Sequence, residues 1–398
     1  MCGALVVAAF VLSFAPPGSL GPTWLTATAG VLALLWVLVA PGGGDRDNAL
    51  PALAIVLTAL GLALIARLSP GLAARQEMWL IVALVLSIGL APGFAQFRRF
   101  AAYKYLWVVA SLALFGLLLL FGQEVNGARL WIRVGPAEFE PIEFIKLFVV
   151  FFMAAYLAEM SDVIALSRPW SLQANAKYLG PLVLGWGASM AILVVQRDLG
   201  MATLLLATFG TLLYVGTRRW DIVVAGAGLF AAVAFWASRH FNYVHERIAV
   251  WRNPFSDPLG AGYQSSQAYY ALANGGVFGT GYRLGHPLFI PDVATDYVYA
   301  AFSEEFGWIG AVVVLLLFFV LIRRIFAVGL EQPDLYAKLL AVGLAATLGF
   351  QIFVIVGGVI GMFPLTGITL PFISYGGSSL VANVLLVSLA WAMSARRE

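Results

Sequence analysis

Residues 298–322 read VYAAFSEEFGWIGAVVVLLLFFVLI, an apolar run that is interrupted by two adjacent carboxylates. A helix needs about 20 mostly apolar residues to cross the hydrocarbon core of a bilayer. Runs that meet or approach this length recur along the chain and predict an all-α polytopic membrane protein with about twelve transmembrane helices. They lie near 3–15, 22–41, 50–69, 78–96, 104–122, 142–159, 176–195, 199–216, 220–238, 298–322, 337–362 and 377–394.

The composition agrees with a membrane protein and excludes a soluble one. Hydrophobic residues make up 62% of the 398 residues, charged residues only 11%, and the mean hydropathy is +0.92. Soluble domains carry about 25% charged residues, so a cytosolic enzyme, a disordered chain and a fibrous protein are excluded. The net charge of +3 reflects loop composition and is no evidence for a nucleic-acid partner.

The basic residues predict the orientation of the chain, because loops rich in Lys and Arg stay in the cytoplasm. The loops assigned to the cytoplasm contain Arg98, Arg99 and Lys104; Arg168 and Lys177; Arg218 and Arg219; Arg323, Arg324 and Lys338; Arg396 and Arg397. The outward segments are then 66–77, 123–141, 196–198, 239–297 and 363–376. With twelve spans, both termini are cytoplasmic. Loop 239–297 is expected to be functional because it is long, rich in Gly, Pro and aromatic residues, and contains all three histidines.

Thr295 and Asp296 stand where this loop enters the apolar run 298–322. One interpretation is helix capping, since both side chains suit the free N–H groups of a helix start. The other is a polar, substrate-filled cleft with Asp296 at its mouth and Glu304 deeper, near the same helical face. Adjacent carboxylates such as Glu304 and Glu305 are costly within a span and usually face a cavity or a partner.

The segment PIEFIK at 141–146 places a cation close to a helix start that enters the membrane. Pro141 and Glu143 suit the first helical turn, whereas Lys146 opposes both the helix dipole and the apolar surroundings. Either Lys146 forms an ion pair with Glu143, three residues earlier, or it is held for an anionic substrate.

Three further outward segments carry candidate residues, and two of the segments have two interpretations. Arg129 and Trp131 form either an interfacial belt of aromatic and basic residues or a phosphate-binding site. In the tight turn at 196–200, Asp198 is expected to cap the following helix. The segment 364–379, which mixes Pro, Gly and hydroxyl groups, lines a cavity at membrane depth or is a plain connection.

Taken together and in order, these segments resemble the SEDS family of bacterial membrane glycosyltransferases (shape, elongation, division and sporulation). The resemblance covers the chain from about residue 50 to its end. The shared motifs are NGA-x-x-WI at 126–132, P-x-E-x-x-K at 141–146, QRDLG at 196–200, Arg247-Ile248, NPFSDPLGAGYQ at 253–264, ANGGVFGTG at 273–281, TDYVYAAFSEEFGWIG at 295–310 and PLTGITLPFISYGGSS at 364–379. The usual family members have ten spans, so residues 1–49 are an additional N-terminal pair and residues 50–398 form the glycosyltransferase core.

The resemblance implies polymerisation of lipid II into β-1,4 glycan strands at the outer face of the bacterial cytoplasmic membrane. It also implies a partner, a class B penicillin-binding protein that crosslinks the strands. The donor is a glycan on undecaprenyl diphosphate, and an α-linked diphosphate that becomes a β-link requires inversion. The resemblance makes Asp296 the essential aspartate, for which we predict a general-base role.

The substrate-binding residues predicted from these motifs are Arg129, Trp131, Glu143, Lys146, Arg247, Gln264, Glu304 and Ser378. The chain departs from the usual family pattern at Leu130, Arg197, Thr280 and Asp292, and the changes at 130 and 280 remove cations. A divalent cation, Mg²⁺ or Mn²⁺, is expected to be held only loosely, partly through substrate phosphates. The three histidines show no zinc pattern.

Three other functions remain open at the level of the sequence. A transporter of lipid II or another lipid-linked substrate also uses intramembrane charges and broken helices. The concentration of unusual polar residues on the outward side favours an enzyme. A polymerase of another lipid-linked glycan and a noncatalytic division scaffold are the remaining alternatives.

Overall fold

The computed structural model describes residues 7–9, 11–13, 15, 20, 23–38, 46–125, 128–135, 137–167, 177–182, 184, 187 and 198–395. Within these residues the protein is a bundle of long apolar helices. The helices are α1 (Thr23–Leu38), α2 (Ala49–Leu68), α3 (Pro70–Phe94), α4 (Lys104–Phe121), α5 (Ile142–Leu166), α6 (Leu199–Thr217), α7 (Trp220–His240), α8 (Asn242–Arg252), α9 (Tyr263–Gly275), α10 (Val298–Leu330), α11 (Leu335–Val359) and α12 (Gly377–Met393).

Eight helical segments in the described part are long and apolar enough to span a bilayer, which confirms a polytopic helical membrane protein. They are α2, α3, α4 with its preceding 3₁₀ turn, α5, α6, α7, α10 and α11. Two shorter apolar helices, α1 and α12, bring the number that match a predicted run to ten. The predicted runs 3–15 and 176–195 lie mostly outside the described residues.

The centre of the bundle is formed by α5, α11 and α12. Every residue of α12 is buried, and α11 is buried along most of its length. Around this centre, α12 packs on α3, α11 packs on α10 and α6, and α5 packs on α4. Helices that are apolar all round need such enclosure by protein or lipid, and α4 and α7 accordingly lie at the periphery.

The segments that the basic residues assign to one side meet at one end of the bundle. Arg98 Nε donates to Asp334 Oδ2 at 2.8 Å, which joins the connections after α3 and after α10. Arg324 pairs with Asp47 at 3.4 Å, which brings the start of α2 to the same end. Alternate connections of the chain therefore share one face of the bundle, as the charge pattern predicted.

The complementary segments meet at the opposite end. The backbone N–H of Glu140 donates to Ser378 Oγ at 2.8 Å, and the N–H of Tyr375 donates to the carbonyl of Ala294 at 2.8 Å. These bonds tie together three segments that are far apart in the sequence. The segments before α5, before α10 and before α12 therefore meet at this end.

Two of these segments contain more regular structure than expected. Segment 123–141 holds a three-stranded antiparallel sheet of β1 (Gln123–Val125), β2 (Ala128–Val134) and β3 (Ala137–Phe139). The segment 239–297 contains α8 and α9 and two 3₁₀ turns, at Pro254–Ser256 and Pro287–Phe289. Its Gly and Pro residues terminate short helices rather than preventing them.

The long helix α10 is broken at Gly307, which has φ 69° and ψ −174°. The segment 276–281 fills the break: Trp308 N–H donates to the carbonyl of Gly276 at 2.9 Å, and Thr280 N–H donates to the carbonyl of Glu304 at 2.9 Å. The backbone groups that the break releases are thereby satisfied inside protein, as membrane depth requires.

Gly307→Ala is expected to destabilise the protein by about 1–3 kcal/mol, because a non-glycine residue is strained at this φ. An added Cβ would also collide with the backbone of Val277 and Gly279. The matched control is Gly349→Ala in the middle of α11, where the nearest atom to a Cβ is 3.6 Å away. Thermal unfolding of the purified variants measures both effects, and equal midpoints would contradict this explanation of the break.

Candidate active site

Asp296 lies in a turn that precedes α10 rather than on the helix. The helix begins at Val298, its N-cap residue is Tyr297, and no side chain caps it. The capping interpretation of Asp296 was therefore wrong, and so was the placement of Asp296 and Glu304 on one helical face. The Asp296 side chain is half-buried, which leaves part of its carboxylate accessible.

The segment 364–379 packs directly against this turn. Ser374 Oγ donates to the carbonyl of Thr295 at 2.5 Å. A Cβ on Gly367, which has φ 77°, would lie 3.7 Å from Asp296 Oδ2. The segment thus forms one wall beside the Asp296 carboxylate. Because Gly367 has no side chain, the space next to the carboxylate stays open.

Arg247, on α8, reaches the same wall from another side. Its Nη1 donates to the carbonyl oxygens of Leu365 and Thr366 at 3.3 and 3.4 Å. Its side chain is otherwise exposed. The guanidinium lies within electrostatic range of both Asp198 and Asp296 and favours the ionised form of each carboxylate.

Asp198 caps α6, as predicted: its Oδ1 accepts a hydrogen bond from the N–H of Met201 at 2.9 Å. Its position near Arg247 was not anticipated. Burial is the main cause that raises the pKa of Asp198 to about 6, while the Met201 N–H and Arg247 oppose the shift. This residue therefore belongs to the candidate site as well as to the helix start.

Glu140 is a further site residue that the sequence did not single out. It precedes α5, and its electrostatic neighbours include Glu143, Asp198 and Asp296. Burial and the repulsion from Glu143 raise the pKa of Glu140 well above its usual range. We refer to Glu140, Asp198, Arg247 and Asp296 as the Asp296 cluster.

The Asp296 carboxyl has a pKa raised from 3.8 to about 6. Burial is the largest cause, and the neighbouring Asp292 carboxylate adds to it, whereas the Thr295 side chain and Arg247 act in the opposite direction. At neutral pH the group is still mostly ionised and its proton affinity is increased. A carboxylate in this state is well matched to accept a proton during catalysis.

Glu143 and Lys146, in the first turns of α5, form an ion pair. Both residues are buried, with exposed fractions of 1% and 0%. Lys146 Nζ also donates to Gln351 Oε1 at 2.7 Å, and Gln351 Nε2 donates to the carbonyl of Thr369 at 3.0 Å. The ion-pair interpretation is the one that the geometry supports. Both side chains are buried in this structure, and their contact with substrate stays a prediction.

The structure gives other predicted binding residues structural partners. Gln264 Nε2 donates to the carbonyl of Pro291 at 3.0 Å, and Ser378 Oγ accepts from the N–H of Glu140. Glu304 is buried, and its Oε1 accepts from the N–H of His286 at 3.2 Å. Glu304 therefore holds the backbone of His286 in segment 239–297, and its contact with substrate stays a prediction.

The outer sheet carries the remaining predicted residues. Trp131 lies half-buried on β2, opposite Gln123. Arg133 pairs with Glu138 at 2.8 Å across the strands. The Arg129 side chain lies outside the described part of the structure, so its phosphate contact stays a prediction.

A metal ion has no ready-made site among the described residues, which contain no group of three His, Cys, Asp or Glu side chains arranged to hold one. The three carboxylates of the Asp296 cluster influence one another electrostatically but do not form such a group.

The chain is similar to a known protein family and to several of its members. Residues 50–398 match the family model described as cell cycle protein, FtsW, RodA and SpoVE. Peptidoglycan glycosyltransferase RodA of Mycobacterium tuberculosis is 36% identical over 321 residues, which cover 79% of this chain and 68% of the relative. Stage V sporulation protein E of Bacillus subtilis is 38% identical over 272 residues, covering 67% and 72%.

Two solved structures share the fold. One, from work on the coordination of polymerization and crosslinking by a peptidoglycan synthase complex, has a TM-score of 0.71 at 31% identity and covers 87% of this chain and 97% of its own. The other is the rod shape determining protein RodA of Thermus thermophilus, with a TM-score of 0.63, 29% identity and coverage of 87% and 96%. The motif series, the helical fold and the match over residues 50–398 together show that this chain belongs to the FtsW, RodA and SpoVE family, the SEDS proteins.

Proposed function

We propose that this protein is a peptidoglycan glycosyltransferase that polymerises lipid II, with Asp296 as its general base. The observation that carries the proposal is the half-buried Asp296 carboxylate, with its raised pKa, beside Arg247 and the wall formed by segment 364–379. The names of the curated relatives support the reaction class. They favour it over the transporter that the sequence left open.

The reaction transfers a glycan from undecaprenyl diphosphate to the 4-hydroxyl of the GlcNAc of lipid II. The hydroxyl oxygen attacks the anomeric carbon, the carbon–oxygen bond to the diphosphate breaks, and the configuration inverts. Asp296 accepts the hydroxyl proton while the electron pair of the broken bond leaves on the diphosphate. General-base catalysis of this kind contributes about 10²–10⁴-fold in rate.

Arg247 is the described cation best placed to receive the diphosphate. Both of its recorded hydrogen bonds leave from Nη1, and a guanidinium carries five N–H donors that suit phosphate oxygens. Burial and the Glu143 carboxylate raise the pKa of Glu140 and so keep it protonated more readily. This reduces negative charge where the diphosphate must bind.

The decisive experiment incubates the purified protein with labelled lipid II, in the presence and absence of its partner. We propose that this partner is a class B penicillin-binding protein, in line with the peptidoglycan synthase complex that shares the fold. A ladder of glycan products is the expected result. Movement of lipid II across vesicle membranes with no product would instead support the transporter.

We also propose that the protein spans the bacterial cytoplasmic membrane with the Asp296 cluster outward and both termini in the cytoplasm. The Lys- and Arg-rich connections share the end of the bundle opposite to this cluster. Such connections remain on the cytoplasmic side. Labelling of single cysteines from outside intact cells tests this arrangement, and reagent access at position 292 but not at position 334 is expected.

The pH dependence of polymerisation should show an acid limb near pH 6 instead of near 4. Below about pH 6 Asp296 gains a proton, loses its ability to act as base, and kcat/KM falls with decreasing pH. Asp198 has a similarly raised pKa, so Asp198→Asn is the control: it retains a capping side chain and should leave the limb in place. Loss of the limb in this control would reassign it to Asp198.

We also propose a loosely held Mg²⁺ or Mn²⁺ that would be bound partly through the phosphates of the substrates. The described side chains alone do not provide a three-ligand site. Binding of Mn²⁺ to the protein without substrate should therefore be undetectable by electron paramagnetic resonance. Chelation of the loosely held cation with EDTA should stop polymerisation. Full activity in EDTA would remove the cation from the proposal.

A further inference from the structure

A cavity of about 460 Å³ lies among the membrane-spanning helices. Its lining residues are far in sequence from those of the Asp296 cluster. Its walls come from the N-terminal residues, from α1, α2 and α3, and from one residue of α12. Most of the lining consists of aliphatic side chains and Ala or Gly. Ala54, Leu62, Leu84 and Val384 in this lining are each at most 4% exposed.

The polar groups in the lining already have partners inside the protein. Thr26 Oγ1 donates to Glu77 Oε1 at 3.2 Å, and Thr58 Oγ1 donates to the carbonyl of Ala54 at 2.7 Å. Trp36 Nε1 donates to Ser388 Oγ at 3.0 Å. A buried water needs two to four polar partners, so these walls offer water little to bind.

The cavity also reaches the surface that faces the bilayer. Gly30 lines it and is exposed, and the neighbouring Val31 and Leu34 are 57% and 45% exposed. An unfilled apolar space loses the dispersion contacts of all its lining atoms. Hydrocarbon from the surrounding membrane is the one abundant material that restores them.

We propose that this cavity is a binding site for a single hydrocarbon chain of a membrane lipid. The chain enters beside Gly30 and extends between α1 and the α2–α3 pair. One wall lies before residue 50, where the family match begins. The site is therefore built by the residues before position 50 together with the part of the chain that matches the family, and none of its lining residues belongs to the Asp296 cluster.

Photolabelling of the full-length protein in bilayers tests the proposal. One arm uses vesicles of phosphatidylglycerol and phosphatidylethanolamine that contain a trace of phosphatidylglycerol with a diazirine on one acyl chain. The second arm uses a polyprenyl phosphate with a diazirine in its chain, which separates the two sources of hydrocarbon. We expect adducts on Leu62 and Val384, which are 4% and 2% exposed and lie away from bulk lipid.

Two glycine variants provide the control. Gly30→Phe adds a ring at the lining position where the cavity opens to the bilayer, and nothing lies within 4 Å of an added Cβ. Gly89→Phe makes the same change at an exposed position of α3 that is also open but does not line the cavity.

Adducts on Leu62 and Val384 from either probe should be lost in Gly30→Phe and retained in Gly89→Phe. Their absence from the unaltered protein with both probes would overturn the proposal. Their persistence in Gly30→Phe would do the same. Ala33→Phe, at another lining position, replaces Gly30→Phe should that variant fail to fold.

Discussion

Asp296→Asn is expected to lower the rate of lipid II polymerisation by about 10²–10⁴-fold while the protein still folds in membranes. The amide has nearly the same shape as the carboxyl and cannot accept the proton of the acceptor hydroxyl. Asp296 is half-buried and caps no helix, so the helix start at Val298 should survive the change. Quantification of labelled glycan products from the purified variant measures the effect.

Asp292→Asn is the matched control for this experiment. Asp292 is an exposed carboxylate four residues earlier in the same turn, and its φ of 50° is one that asparagine tolerates. Its carboxylate raises the pKa of Asp296, and its carbonyl, which accepts from the Asp296 N–H, is kept in the variant, so the change should affect the rate little. Normal glycan products from Asp296→Asn would refute the general-base assignment, whatever the control shows.

The second large effect is expected from Lys146→Met, which should destabilise the protein by about 3–5 kcal/mol. The change leaves the Glu143 carboxylate buried without its cation and removes the donor to Gln351 Oε1. Thermal unfolding in detergent should show a clearly lower midpoint, and polymerisation should fall with it.

The double variant Glu143→Gln with Lys146→Met separates stability from function. Without a buried carboxylate it should recover most of the lost stability. It still lacks the Lys146 donor to Gln351, which in turn holds the carbonyl of Thr369 in the segment beside Asp296. We therefore expect activity to remain low, and full recovery of activity would reduce Lys146 to a packing role.

Much of the fold could be predicted because lipid imposes a simple rule on the sequence. A span must be about 20 residues long and mostly apolar, and Leu335–Val359 was recognisable from that property alone. The capping role of Asp198 and the pairing of Glu143 with Lys146 depend on residues three positions apart. Such short-range relations are readable from spacing.

The positions of Glu304 and Glu140 could not be predicted from the sequence, because they depend on contacts between segments that are apart in the chain. Glu304 is directed toward His286 because α10 breaks at Gly307 and a distant loop segment fills the break. The membership of Glu140 in the site depends on the contact between its backbone and Ser378, 238 residues away. Neither the break nor the contact leaves a periodic pattern in the sequence.

By itself, the sequence determined that this is a polytopic helical membrane protein, and it predicted which connections share a side and which segments carry the candidate site. These properties follow from the transfer of single segments between water and lipid, to which each residue contributes locally. Only the tertiary structure decided which carboxylates lie within electrostatic range of Arg247, which charges are buried, and where an apolar cavity remains. Those properties arise from long-range packing, and no one segment contains them.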